Sequence, residues 1–279
     1  MKLKTKYFFI FLILISVKLF PQDILKNQYN YALKLYNQEQ YYDAVTEFKR
    51  LLFFDSEAKY VYDATEFIGQ SYKMGAKYSD AILYFTIAEM NAGNGEQLFS
   101  SKIEIARANI LRRTSTHAIA LLDSLLNDPR FNNKKGDIHY WKGWAYIFDD
   151  RWEQASQEFS KTDTSTALAE FCKNVDREKY SVNFANVISL FIPGAGQAYT
   201  GHYFSGLLSL GWNVLWGYLT INSFIENRVF DGLVTGNFLW LRFYSGNLQN
   251  SVKYAREENL KITNKALNYL HSGYQGTKP

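Results

Sequence analysis

Side chains able to do chemistry are few and scattered in this 279-residue chain. Its single cysteine, Cys172, excludes an intrachain disulfide and any multi-cysteine zinc or iron–sulfur centre, and nothing near it marks an activated thiolate. The four histidines, His117, His139, His202 and His271, lie far apart, and none has the His-Glu-x-x-His spacing of a metal-binding helix. Gly194-Ala195-Gly196 resembles the start of a dinucleotide loop, but it lacks a third glycine and any βαβ surroundings. No Gly-Lys-Ser/Thr follows a glycine turn, so a phosphate loop is absent. Asp149-Asp150 and Glu153 sit at a turn where helix capping and solvation account for them. The expectation is therefore no enzyme, no metal and no cofactor. A net charge of +4, with Lys134-Lys135 as a loop pair and no basic aromatic stripe, gives no nucleic-acid footprint either. The polar groups that stand out do so by their surroundings: Lys73 and Arg107 among aromatics, Asp231 and Arg242 among apolar residues.

The elements around the second pair are set by charge distribution. From Ser181 to Asn250 only Glu226, Arg228, Asp231 and Arg242 are charged, and Ser181–Ile225 carries no Asp, Glu, Lys or Arg. A bilayer-spanning helix needs about 20 apolar residues, so the uncharged run has room for two; the other reading is a buried helix of a soluble core. At the amino terminus Lys2, Lys4 and Lys6 precede the apolar run Tyr7–Val17, the pattern of an export signal over residues 1–22, cleaved or kept as an anchor.

The elements around the first pair are set by a repeat. Ala44, Ala81, Ala118 and Ala155 are 37 residues apart. Tiny residues precede them by twelve (Ala32, Gly69, Ala106, Gly143), and large apolar ones follow by four (Phe48, Phe85, Leu122, Phe159). Three before them stand Tyr41, Tyr78, Ser115 and Trp152. Gly69, Tyr72, Tyr78, Ala81, Phe85 and Ala88, and again Gly143, Tyr146, Trp152, Ala155 and Phe159, resemble the tetratricopeptide repeat. In such hairpins small residues let paired helices approach and aromatics fill the wedge to the next pair. The third repeat departs, with Asn109 and Ser115 where aromatics are expected, and 91–95 and 127–133 read as loops between repeats. The chain is thus read as all-α: a helical-hairpin solenoid over residues 23–165, a connecting helix over 166–182, a membrane helical module over 183–250 and a polar tail over 251–279.

The resemblance implies a concave face lined by the first helix of each hairpin. Its groove positions fall on Tyr29, Leu33 and Tyr36, on Glu66, Gln70 and Lys73, on Ile103 and Arg107, and on Tyr140, Trp144 and Ile147. Lys73 and Arg107 in an aromatic groove would suit an extended peptide or a helix presenting a carboxylate. The alternative is that some of these aromatics pack inside the solenoid.

In the uncharged run, Pro193, Gly194, Gly196, Gln197, Tyr199 and Gly201 form a pattern similar to one in small bacterial two-transmembrane-helix domains, families that bring an architecture and no activity. Pro193 and the glycines would break one helix and admit a tight return into the next, while Gln197 and Tyr199 satisfy freed backbone groups or sit at headgroup level. Tyr203–Ile225 is expected to span, and Val229–Leu248 is long enough to do so. Arg242 would snorkel, pair with Asp231 or Glu226, or meet a ligand or lipid headgroup. The side of the tail depends on whether two or three segments cross; Lys253, Arg256, Lys261, Lys265 and Lys278 favour the cytosol. The resulting expectation is a membrane-anchored scaffold of a bacterial envelope, at the inner membrane with periplasmic repeats that bind a protein or peptide. The alternative is a small transport or lipid-handling unit whose repeats assemble a homo-oligomer.

Overall fold

The computed structural model describes residues 24–162 and 164–279, so the expected export signal lies outside the described residues. Among them all regular structure is helical. The chain forms two compact units, one reaching to Ala169 and joined by Lys278–Pro279, the other Glu170–Thr277.

The first unit consists of four hairpins: α1 (Ile24–Asn37) with α2 (Tyr41–Phe54), α3 (Val61–Met74) with α4 (Tyr78–Met90), α5 (Gly95–Leu111) with α6 (Ser115–Leu126), and α7 (Lys135–Phe148) with α8 (Trp152–Phe159). The 37-residue period is a period of packing. Ala44, Ala81, Ala118, Ala155 and their partners Phe48, Phe85, Leu122 and Phe159 are all fully buried. A Cβ added to Gly69 would lie 2.6 Å from the Phe85 ring, and one on Gly143 would lie 2.7 Å from the Phe159 ring. The tiny residue of the first helix is thus the seat of the large residue of the second.

The turns repeat as well. Glu39, Ala76, Arg113 and Asp150, again 37 apart, all adopt left-handed backbone with φ between 56° and 65°. In each hairpin the next amide donates five residues back: Gln40 to Leu35, Lys77 to Tyr72, Thr114 to Asn109 and Arg151 to Tyr146, at 2.8–3.0 Å. This closure satisfies the last carbonyls of the first helix and turns the chain into the second. The aberrant third repeat replaces its missing aromatic with a polar clasp. Buried Asn109 donates to the Ile105 carbonyl at 2.8 Å and accepts from Thr114 Oγ1 at 2.8 Å. Of the expected loops, 91–95 contains the Asn94 cap of α5, whose side chain accepts from the Gln97 amide, and 127–133 contains a 3₁₀ turn, Pro129–Lys134.

The second unit contains most of α9 (Thr166–Glu178), then α10 (Val182–Phe191), the short α11 (Ala195–Tyr199), α12 (Tyr203–Ile225), α13 (Val229–Val234), a π-helical turn (Thr235–Trp240) and α14 (Leu241–Ser272). Position 251, read as the start of a polar tail, falls inside α14, which continues from the uncharged segment into the charged one. Beside the buried apolar residues Val175, Ala185, Ala255, Ala266 and Leu270, the unit encloses many polar ones. Its interior holds Ser189, Gln197, Thr200, Asn213, Thr220, Ser223, Asn247 and Ser251, all buried, while Phe191, Tyr203, Phe204, Leu207, Ile225, Phe230 and Phe238 are each more than two-thirds exposed.

No described helix is both long and apolar enough to cross a membrane, so the spans expected at 203–225 and 229–248 are not found as such. Asn213, Thr220, Asn222 and Ser223 dilute α12, and the second segment is divided among α13, the π turn and the start of α14. Sequence averages over a whole helix; the structure separates its faces.

Candidate functional site

Four charged residues meet on the first helices of neighbouring hairpins in the repeat unit. Glu66 and Lys73 come from α3, Glu104 and Arg107 from α5. Glu104 accepts from both Lys73 Nζ and Arg107 Nη1, and the Lys73 and Glu104 side chains are each only 8% exposed. Glu66 accepts from Gln70 Nε2 at 3.2 Å and Ser101 Oγ at 3.3 Å. Burial raises the Glu66 carboxyl above its ordinary range, with Glu104 adding to the effect. Burial lowers the Lys73 ammonium against the opposing pull of Glu104. Tyr36 completes the cluster: burial, then Tyr41, Glu104 and Glu66, raise its phenol.

Arg107 joins the cluster to an aromatic ring. Its guanidinium lies 4.6 Å from the Trp141 ring centroid, and its Nη2 donates to the backbone carbonyl of Lys278 at 3.0 Å. Its Nε has no partner among the described residues. The Arg107 guanidinium thus meets an indole ring, a carboxylate and the backbone of the chain's own carboxy-terminal residues.

The structure therefore gathers Tyr36, Glu66, Gln70, Lys73 and Arg107 from the expected groove and adds Glu104, which the sequence reading missed. The other groove candidates divide. Tyr29 stacks on Tyr60 at 5.3 Å and meets Phe48 edge-on, and Leu33 packs on the same core. Tyr140 meets the Phe159 ring at 5.7 Å, Trp144 is 3% exposed, and Ile103 and Ile147 are buried. These residues pack the hairpins and leave the polar cluster as the site.

A second hub on the last hairpin was also missed. Buried Glu158 takes His139 Nδ1 at 2.7 Å, Lys161 Nζ at 3.1 Å and Lys142 Nζ at 3.2 Å. Burial pushes its carboxyl up, but His139, Lys161 and Lys142 outweigh it and hold it low. His139 and Lys142 stand 19 and 16 residues away across the hairpin, beyond any local pattern, and Lys161 is its i,i+3 neighbour.

In the second unit the glycine motif forms a buried amide knot. Gly194 has φ +90°, and a Cβ there would lie 2.1 Å from the Gly206 carbonyl oxygen. A Cβ on Gly196 would lie 2.3 Å from the Ala185 carbonyl oxygen, so both positions require glycine for close backbone approach. Gln197, fully buried, donates to the carbonyl and Oδ1 of Asn247 at 3.2 and 3.1 Å. The Gly194 amide and Ser209 Oγ also donate to Asn247 Oδ1, while Asn247 Nδ2 donates to the Ser189 carbonyl. Tyr199 Oη accepts from the Ser181 amide at 3.2 Å, and Gly201 is left-handed with φ +84° after Pro193 has opened the turn. Asn247, the centre of the knot, was not singled out in the sequence because it is remote from the motif.

Arg242 makes neither expected ion pair. Arg228 takes both carboxylates, Glu226 at 2.8 Å and Asp231 at 3.5 Å, because it lies between them at the turn while Arg242 lies on α14, exposed. Cys172 is buried, and burial pushes its thiol up to about 12. No group of histidine, cysteine and carboxylate side chains that could hold a metal occurs among the described residues. No family model, curated protein or solved structure matches the chain.

Proposed function

We propose that this chain is a membrane-anchored adaptor of the bacterial envelope, whose repeat unit binds an extended segment of a protein partner. The observation that carries the binding half is Arg107, stacked on Trp141 and donating to a peptide carbonyl beside the Glu104–Lys73 pair. Anchoring is supported by the second unit, which buries amides and hydroxyls and exposes phenylalanine, leucine and isoleucine. That is the arrangement a bundle adopts when its solvent is hydrocarbon. Hydropathy averaged along one helix underrates such a bundle, since its polar residues face inward. The basic, apolar amino terminus of the sequence supports export, with the repeats on the periplasmic side of the inner membrane.

A photo-crosslinking amino acid at Gln70, half-buried beside Glu66, tests the binding half in living cells. The expected result is a discrete adduct to a second protein that weakens strongly in Arg107→Gln at unchanged abundance. Adducts only within the chain would overturn it. The alternative, a lipid-handling unit, now rests on the flank of α14 and no longer on an Asp231–Arg242 pair.

A further inference from the structure

Charge returns to the chain at a particular place. After Arg242 the next charged residues are Lys253 and Arg256, both on α14 where it leaves the uncharged segment. Two bonds set the register of α10 against α14: Tyr244 Oη donates to the Leu190 carbonyl at 2.8 Å, and Asn247 Nδ2 donates to the Ser189 carbonyl at 2.9 Å. The helices run antiparallel, so Asn186 lies beside the turn of α14 that carries Leu248 and Val252. Together with Gln249, Lys253, Arg256 and Glu257 they line an open cavity of about 620 Å³. On α10, which contributes Asn186, the residues Val187, Leu190 and Phe191 are exposed and apolar.

The lining is amphipathic. Leu248 and Val252 offer an apolar wall, Asn186 and Gln249 offer amide donors, and Lys253 and Arg256 offer cations. Lys253 has a long contact to Glu257, 3.8 Å, and Arg256 has no ion-pair partner among the described residues. A planar guanidinium left unpaired at the margin of an apolar surface matches a phosphodiester, whose oxygens it can take in pairs. An inorganic phosphate would leave the apolar wall and the row of Val187, Leu190 and Phe191 unused.

We infer that the cavity between α10 and α14 is a binding site for an anionic phospholipid, with Arg256 and Lys253 on the headgroup phosphate and the acyl chains along Val187, Leu190 and Phe191. This rests on the membrane half of the proposed function. The site would fix the depth and tilt of the unit and make anchoring sensitive to lipid charge.

The test uses the full chain purified in detergent and a photoactivatable phosphatidylglycerol, with the phosphatidylcholine analogue as comparison. Adducts mapped by peptide mass are expected at 186–190 and 248–252 and stronger for the anionic lipid. Each of Arg256→Gln and Lys253→Gln should weaken anionic labelling by about fivefold, the usual effect of one cation at an anionic surface. Glu257→Gln should strengthen it, and Arg228→Gln, at the other end of α12, should leave it unchanged. Equal labelling by both lipids, or labelling indifferent to Arg256→Gln, would overturn the lipid site. Removal of the labelling by excess inorganic phosphate would instead make it a free-phosphate site and overturn it as well. Vesicle flotation of the same protein keeps the two claims apart. A chain that floats with phosphatidylcholine but shows no anionic preference loses only this site, whereas one that floats with no vesicle loses the membrane reading.

Discussion

Glu158 has three nitrogen-bearing neighbours and is almost without solvent, so its charge is tied to the fold of the last hairpin. Its folded-state carboxyl is held below the ordinary value. The stability it contributes is therefore present above the unfolded carboxylate range, about pH 4.3, and is lost as pH falls through the lower folded value. Glu158→Gln should cost about 1–3 kcal/mol in urea unfolding at neutral pH and flatten the loss of stability below about pH 4. Glu66 has the opposite sign, its carboxyl being raised by burial, so Glu66→Gln should hold or increase neutral-pH stability. Cys172, with its thiol pushed up to about 12, should resist alkylation at pH 8 in the folded chain and react fully in denaturant. Fast labelling of the folded protein would contradict its burial. Side chains such as Glu104 and Glu158 were invisible in the sequence for a physical reason. Their deciding partners, Lys73 for Glu104 and His139 and Lys142 for Glu158, come from other helices, and an acid beside one basic i,i+3 neighbour looks like any solvated one.

Among the elements, the hairpins were the most legible, because their packing depends on residue size at fixed offsets. Gly69 against Phe85 and Gly143 against Phe159 are contacts that the sequence spacing already required. Gly143→Val should destabilise the repeat unit by about 1–3 kcal/mol through overpacking. A neutral result in thermal unfolding would mean that the last hairpin packs differently. The turns were not legible. Glu39, Ala76, Arg113 and Asp150 share a left-handed conformation without a glycine among them to announce it. An L residue there costs roughly 1–2 kcal/mol, partly offset in a glycine variant by unfolded-state entropy. Ala76→Gly should accordingly raise stability by about 0.5–1 kcal/mol, read as a shift of the urea midpoint at constant slope. In the second unit the glycine motif was legible as a close turn, but its anchor Asn247 was not, being 50 residues beyond Gln197. Segments 203–225 and 229–248 looked like apolar spans because composition does not say which face a serine or asparagine takes.

At the scale of the whole molecule, the two units differ in the balance of what they bury. The repeat unit buries alanine, phenylalanine and leucine in the manner of a protein in water, while the second buries glutamine, asparagine and serine and exposes aromatic and aliphatic side chains. An exterior this rich in apolar side chains on a chain in water would favour aggregation. In hydrocarbon it is the favourable one, and the buried amide knot supplies the hydrogen bonds that lipid cannot. This contrast makes anchoring the central claim of the proposed function, with partner binding at the Arg107 cluster as its other half. Alkaline carbonate extraction of membranes from cells producing the full chain tests it most directly. The account predicts that the chain stays in the membrane pellet and is released only by detergent; full-length chain in the carbonate supernatant would contradict it.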